Sequence, residues 1–556
     1  MSSAELGTGH FRQSMNWLHT WAGLVLGWLL YFMFLTGTLG YFDEEIDRWM
    51  KPEIVAVAPT LSHVELVSLG ETYLRTHAEG ASEWWVGLPT SRNASVSVSW
   101  KTAIDPDTQE GGVWVTEYLD TATGEASDAR DTGGGQTLYR MHYALHYMPA
   151  VIAYVITSLA AFFMLMALIT GIVIHRRIFT DLFTFRPGKR QRSWLDMHNI
   201  MSVLPLPFHL MITYSGLVFL MFTTMPGVVQ SQYADNSEFF AAVFSEPSHE
   251  AAGQSATGLG MGELAAIAGQ HWDEVVFAHV GIKHPGDQNA VAEVYKAGFD
   301  DILDAPILHI NAVSGEILDE SKPDRGPAAG VYEVLVHLHE GLFANTGLRW
   351  LYFLSGMLGT GMIATGMILW TSKRRQRLGK RGIAGRGLVL VEKLNAGAIA
   401  GLLVAVAVYF WANRLLPLDL DGRAAREVDA LFIALGLCLF YPLVRTVQRA
   451  WIELLGLAAV LFALLPVLNA LTTSHNLASS IGNQDWIMAS VDFSFVCTGL
   501  ILAYAAIRLW RRQHQLNPAM KSVNRERQER GERNKSHNAS GDSSYDPSRD
   551  SSEVTS

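Results

Sequence analysis

Cysteine is almost missing from this chain. Only Cys438 and Cys497 occur among 556 residues, both inside apolar stretches, so a disulfide framework is excluded. No C-x-x-C-H occurs, which removes support for covalent, c-type haem attachment. Charge is scarce as well. Asp, Glu, Lys and Arg make up 17% of the residues against 49% hydrophobic ones, and the mean hydropathy is +0.16. That is too apolar for an ordinary soluble protein, and the length leaves room for several domains. The net charge is −11, and the basic runs that exist lie beside apolar segments, so no nucleic-acid partner is indicated. No G-x-G-x-x-G follows a strand pattern, and no nicotinamide or flavin domain is apparent.

What the chain has instead is long apolar runs. A bilayer-spanning helix needs about 20 apolar residues. Runs of that kind fall near 17–42, 150–174, 197–222, 348–370, 395–413, 428–444, 451–471 and 486–509. The first is too long for a signal-peptide core and has no small-residue cleavage site, so it reads as a retained helix. The expected fold is an all-α membrane bundle of about eight spans with two small α+β units outside it. The expected order is a first span within 1–42, a soluble unit at 43–140, two spans with a basic loop at 141–222, a second soluble unit at 223–335, a fourth span at 336–375, four further spans at 376–510, and a charged tail at 511–556 whose composition predicts disorder. Arg and Lys crowd the loops after the second and fourth spans: Arg176, Arg177, Arg186, Lys189, Arg190 and Arg192, then Lys373, Arg374, Arg375, Arg377, Lys380, Arg381 and Arg386. With eight spans the positive-inside rule puts these loops and both termini in the cytoplasm and the soluble units outside.

The two soluble units read as a repeat. Each has one helical pattern, near 64–76 and at MGELAAIAGQHW, followed by alternating strands. Each closes in a tight turn, Thr123-Gly124-Glu125 and Ser314-Gly315-Glu316, where Gly suits a positive φ.

Histidines mark the membrane part. His142 and His146 stand one turn apart, and His146 and His175 are 29 residues apart, projecting from nearly one face with one near each surface if the helix is unbroken. His198 and His209, 11 residues apart, share a face of the next segment. A lone membrane-edge histidine is ordinarily interfacial, but several at matching depths suit a bundle that holds iron porphyrins at two levels. Thr213, Tyr214 and Ser215 fit helix packing.

Five blocks carry a family resemblance: LHTWAGLVLGWLLYFMFLTGTLGYF, MHYALHYMP, GIVIHRRIFTDLFTFRP, RSWLDMHNIMSVLPLPFHLMITYSGL, and HEGLFANTGLRWLYFLSGMLGTGMIATGMILWTSKRR. In that order, over roughly 11–375, they resemble the PepSY-associated transmembrane helix family. The resemblance implies a four-helix inner-membrane core with periplasmic PepSY units, association with iron uptake, b-type haem, and reduction of ferric siderophores. It implies cofactor or metal-binding roles for His19, His142, His146, His175, His198, His209 and His339. His19, His175 and His198 group on the cytoplasmic side, and His142, His146 and His339 outside, with His209 deeper. His337 and His339 lie two residues apart, so only one can face the bundle, and the HEGLFA block of the resemblance implies that it is His339. Two b-type haems, a cytoplasmic electron donor, a ferric chelate outside and the lipid bilayer are the expected partners. The rival readings are a non-redox PepSY protein acting as regulator or peptidase inhibitor, and a transporter that uses the last four spans.

Overall fold

In the computed structural model, residues 3–540 are described apart from 55–60, 104–111, 181–185, 187–190, 235–237, 240–249, 298–305, 322–326, 380–383 and the single positions 91, 94, 176 and 275. Arg176, Lys189, Arg190, Lys380 and Arg381 of the basic loops therefore lie outside the described residues, as does the tail beyond 540.

The chain opens with α1 (Ser3–Val25) and α2 (Gly27–Gly40), then a short α3 (Asp43–Met50). The first apolar run is thus two helices, bent by 65° at Leu26. The first soluble unit supplies α4 (His63–His77), β1 (Glu83–Gly87), β2 (Val96–Lys101) and β3 (Trp114–Leu119). The chain returns through α5 (Gly134–Tyr143) and α6 (Ala150–Ile174). The third apolar run is again a bent pair, α7 (Gln191–Val203) and α8 (Leu206–Phe219), also meeting at 65°. Here Pro205 and Pro207 remove backbone donors and stop the first helix. The second soluble unit gives α9 (Met261–Trp272), β4 (Phe277–Lys283), β5 (Val291–Lys296), β6 (Ile307–Asn311) and β7 (Ile317–Ser321), followed by α10 (Pro327–Glu340) and α11 (Thr346–Gly379).

The two soluble units form one sheet. Its order is β3-β2-β1-β4-β5-β6-β7, antiparallel throughout. The joint is β1 against β4, with Trp85 opposite Gly281 at its middle. The indole lies where a side chain on Gly281 would stand, since a Cβ there would come within 2.6 Å of the ring. α4 and α9 cover one face, burying Leu66, Leu74, Leu264 and Ala268 against Val86, Val98, Val280 and Val294. Both turn glycines have the expected positive φ, +76° at Gly124 and +78° at Gly315.

Among the described residues, five helices are long and apolar enough to cross a membrane: Ala150–Ile174, Thr346–Leu378, Arg386–Leu415, Val447–Thr472 and Trp486–Gln515. The bent pairs raise the number to seven if each is one span. The protein is therefore a multi-pass membrane protein. The expected eighth, near 428–444, is α13 (Arg423–Phe440), whose first turns carry Arg423, Arg426, Glu427 and Asp429. It returns along α12 (Arg386–Leu415), with Cys438 packed on Gly397 and Gly401. α14 (Val447–Thr472) and α15 (Trp486–Ser540) complete the bundle. Helix thus continues through Ser540 where composition predicted disorder; the tail carries many Arg, Glu and Gln, which are good helix formers.

Candidate functional site: two histidine pairs in a duplicated bundle

Side-chain packing in the bundle brings four histidines together as two pairs. His19 on α1 meets His198 on α7 with ring centroids 6.4 Å apart, and His142 on α5 meets His339 on α10 at 6.1 Å. The second pair lies at the sheet end of the bundle, since α5 and α10 directly follow the strands. It borders a cleft of about 740 Å³, open mouth included, lined by Leu30, Phe34, Tyr41, Tyr139, Met164 and Glu340 among others. Tyr139 donates to Glu340 at its edge, 2.9 Å.

Every paired ring is seated in the same way on a different helix. His19 Nδ1 is 2.8 Å from Ala167 O on α6, His142 Nδ1 is 2.7 Å from Met33 O on α2, and His198 Nδ1 is 2.9 Å from Met362 O on α11. His339 Nδ1 meets Ser215 Oγ at 2.7 Å and bonds the Ile212 carbonyl on α8. A carbonyl only accepts, so each ring carries its proton on Nδ1 and leaves the Nε2 lone pair for another partner. Three residues after each of these carbonyls stands a hydroxyl, and four after it a glycine: Thr170-Gly171, Thr36-Gly37, Thr365-Gly366 and Ser215-Gly216. A Cβ on Gly37 would lie 2.5 Å from His142 Nδ1. On Gly216, Gly366 and Gly171 it would come within 3.2, 3.2 and 3.4 Å of His339, His198 and His19. The glycine lets the ring approach the helix. The hydroxyl bonds back to its own helix, as Thr170 does to Met166 O and Thr365 to Gly361 O.

This arrangement is an internal duplication of the membrane part as well as of the soluble units. His19 precedes Gly37 by 18 residues, and His198 precedes Gly216 by 18. α1 packs on α6 as α7 packs on α11, α2 on α5 as α8 on α10, and α2 on α11 as α6 on α8. From the β1–β4 joint the sheet runs outward in chain order on both sides, three strands on one and four on the other. Each histidine pair therefore joins equivalent residues of the two halves. Each seat carries an [ST]-G dipeptide, but the same dipeptide recurs at Ser355-Gly356, Thr360-Gly361 and Thr498-Gly499, so neither it nor histidine spacing alone singles out the seats.

The other expected residues lie elsewhere. α5 ends at Tyr143, and Leu145 and Tyr147 take positive φ before α6 begins. The helix is thus broken, and the shared face predicted for His142, His146 and His175 does not form. His146 is exposed and stacks on Phe432 at 5.7 Å. His175 caps α6, with its Nε2 3.0 Å from Asn199 Nδ2. The 65° bend likewise removes the straight helix assumed for His198 and His209. His209 is fully buried on α8, with Nε2 3.3 Å from Ser355 O. His337 is buried and His339 half-buried, so burial does not single out His339 of the two. Among the described residues no three or more His, Cys, Asp or Glu side chains converge as a metal site. Residues 16–373 match the family described as the PepSY-associated TM region. The chain belongs to this family. The match spans both halves of the duplication and stops before α12. No curated protein matches the chain.

The four long helices of this PepSY-associated protein beyond the match, α12 to α15, are bound to the rest by buried charge. Arg423 and Glu427, both fully buried, pair at 2.5 Å. Glu427 also accepts from Gly133 N at 3.1 Å, next to the start of α5, and Tyr409 donates to Gly134 O at 2.8 Å. Arg414 lies over the Trp49 ring, 3.7 Å from its centre, while Trp49 donates to Asp492 at 2.9 Å. The helix that carries His142 thus starts from a platform made by α12 and α13.

Proposed function

We propose that the protein holds two b-type haems and moves electrons across the membrane to a ferric chelate, such as a siderophore, on the sheet side. The observation that carries this reading is the geometry of the two pairs. Two imidazoles bound to one metal at roughly 2 Å each, with each ring centre about 1 Å behind its nitrogen, stand about 6 Å apart. The centroid distances of 6.4 and 6.1 Å agree with that. Two protein ligands per site suit a porphyrin iron, whose other four come from the macrocycle. The Nδ1 bond to a carbonyl is the orienting contact expected behind a metal-binding imidazole.

His19 and His198 would hold one haem and His142 and His339 the other. The bound group supplies reversible one-electron chemistry; the chain's own residues set its position and surroundings. The four seats fix the rings, and Leu30, Phe34 and Met164 keep the second site apolar. The described basic residues next to the ends of α6, α7 and α11 follow or precede helix ends remote in the chain from the strands, so the sheet would face the periplasm if the membrane is a bacterial inner membrane. A cytoplasmic donor would feed the His19–His198 site. Hard oxygen chelators hold Fe(II) less tightly than Fe(III), so reduction releases the iron.

Vesicles with trapped reductant and inward-facing basic loops test this: an external ferric chelate should be reduced only when the protein is present, and equal rates in empty vesicles refute it. The seats give a second expected result. Gly37→Val and Gly366→Val should each lower haem content by about half, because a side chain there breaks the contact that orients a ligand ring, and loss of such a contact costs metal affinity roughly 10–100-fold. Gly23→Val, which has open space around its Cβ, should leave haem content unchanged.

A further inference from the structure

His209 breaks the duplication. It stands seven residues before Gly216, where the first half has Leu30 seven before Gly37. Its seat repeats the ligand seats on α11: the carbonyl of Ser355 is followed four residues later by Gly359, and a Cβ on Gly359 would lie 2.9 Å from His209 Nε2. The corresponding positions before Gly171 are Ala160 and Met164, which bury apolar side chains with Leu30 in one core. Two features separate His209 from the four paired rings. Its Nε2, not its Nδ1, meets the carbonyl. Its Nδ1 is buried and has no hydrogen-bond partner among the described residues.

Its position is between the pairs. On α11 its seat at Ser355–Gly359 is seven residues before the seat of His198 at Met362–Gly366, two turns or about 10 Å. On α8 its Cα is seven residues before Gly216, which seats His339, again about 10 Å. Phe34, which lines the His142–His339 cleft, sets its ring edge-on to His209 at 6.2 Å. A buried imidazole placed here is not required by packing, because the other half fills the equivalent place with Leu.

We propose that His209 is the coupling residue between the two pairs, a polarisable ring through which one electron passes from the His19–His198 site to the His142–His339 site. This rests on the haem reading above. An iron held by His19 and His198 would give up one electron, one held by His142 and His339 would take it up, and His209 would keep its charge and protons.

The test is His209→Leu, which installs what the first half already carries. The purified variant should keep the wild-type haem-to-protein ratio and the wild-type spectrum. After a brief photoreduction that delivers less than one electron per protein, redistribution between the two haem bands should slow by about an order of magnitude. His209→Gln keeps a donor for Ser355 O without the ring and should slow it too. An unchanged rate in His209→Leu overturns the proposal, as does full recovery in His209→Gln, which would assign the effect to the hydrogen bond alone. Loss of a haem in His209→Leu also overturns it, by making His209 a ligand. A wild-type protein without haem defeats the parent reading instead, before the variant is made.

Discussion

His198→Ala loses one of the two haems and keeps the other, and His339→Ala does the reverse. That is the largest spectroscopic effect the proposed reading predicts. Each haem would have one imidazole from each half of the duplication, so removing one ring would leave its site with one imidazole. The remaining pair is untouched, because each pair draws on different helices: α1 and α7 for one, α5 and α10 for the other. His146→Ala and His175→Ala should leave haem content as it is. His146 stacks on Phe432 and His175 meets Asn199. Haem content per protein by visible spectrum decides it. Loss of haem in His146→Ala with retention in His198→Ala would reverse the assignment.

Arg423→Ala destabilises the whole bundle. Arg423 and Glu427 are both fully buried and pair at 2.5 Å. Removing one partner of a buried pair leaves the other charge desolvated and typically costs about 3–5 kcal/mol. The cost should reach beyond α13, because Glu427 also holds Gly133 and Thr132 at the entry to α5. The expected result is a lower unfolding temperature in detergent, with the His142–His339 site lost before the His19–His198 site on heating. The double replacement Arg423→Met with Glu427→Gln, which removes both charges, should recover part of the loss. An unfolding temperature equal to wild type in Arg423→Ala would show that α12–α15 do not support the site.

Much of the architecture could be read locally. Unbroken apolarity marks α6, α11 and α12, alternation marks six stretches that hold the seven strands, and the Thr-Gly-Glu and Ser-Gly-Glu turns have the left-handed glycines expected of them. What escaped depends on contacts distant in sequence. Nothing in EWWVG says that it pairs with FAHVGIK across nearly two hundred residues. The bend at Leu26 has no proline to announce it, whereas that at Pro205 does. Helical spacing treated His142, His146 and His175 as points on one rod, and the turn at Leu145–Tyr147 invalidated that step. The seats needed two signals at once: a histidine on one helix and an [ST]-G on another. Each is common alone, and only the fold shows which ones meet.

The most direct measurement is the visible and low-temperature magnetic resonance spectrum of the detergent-purified protein with its haem-to-protein ratio. Two haems per chain, both low-spin with two imidazole ligands and both reducible by dithionite, are the predicted result. A colourless, fully folded protein, or one whose haem signals come from a single site, would contradict the account.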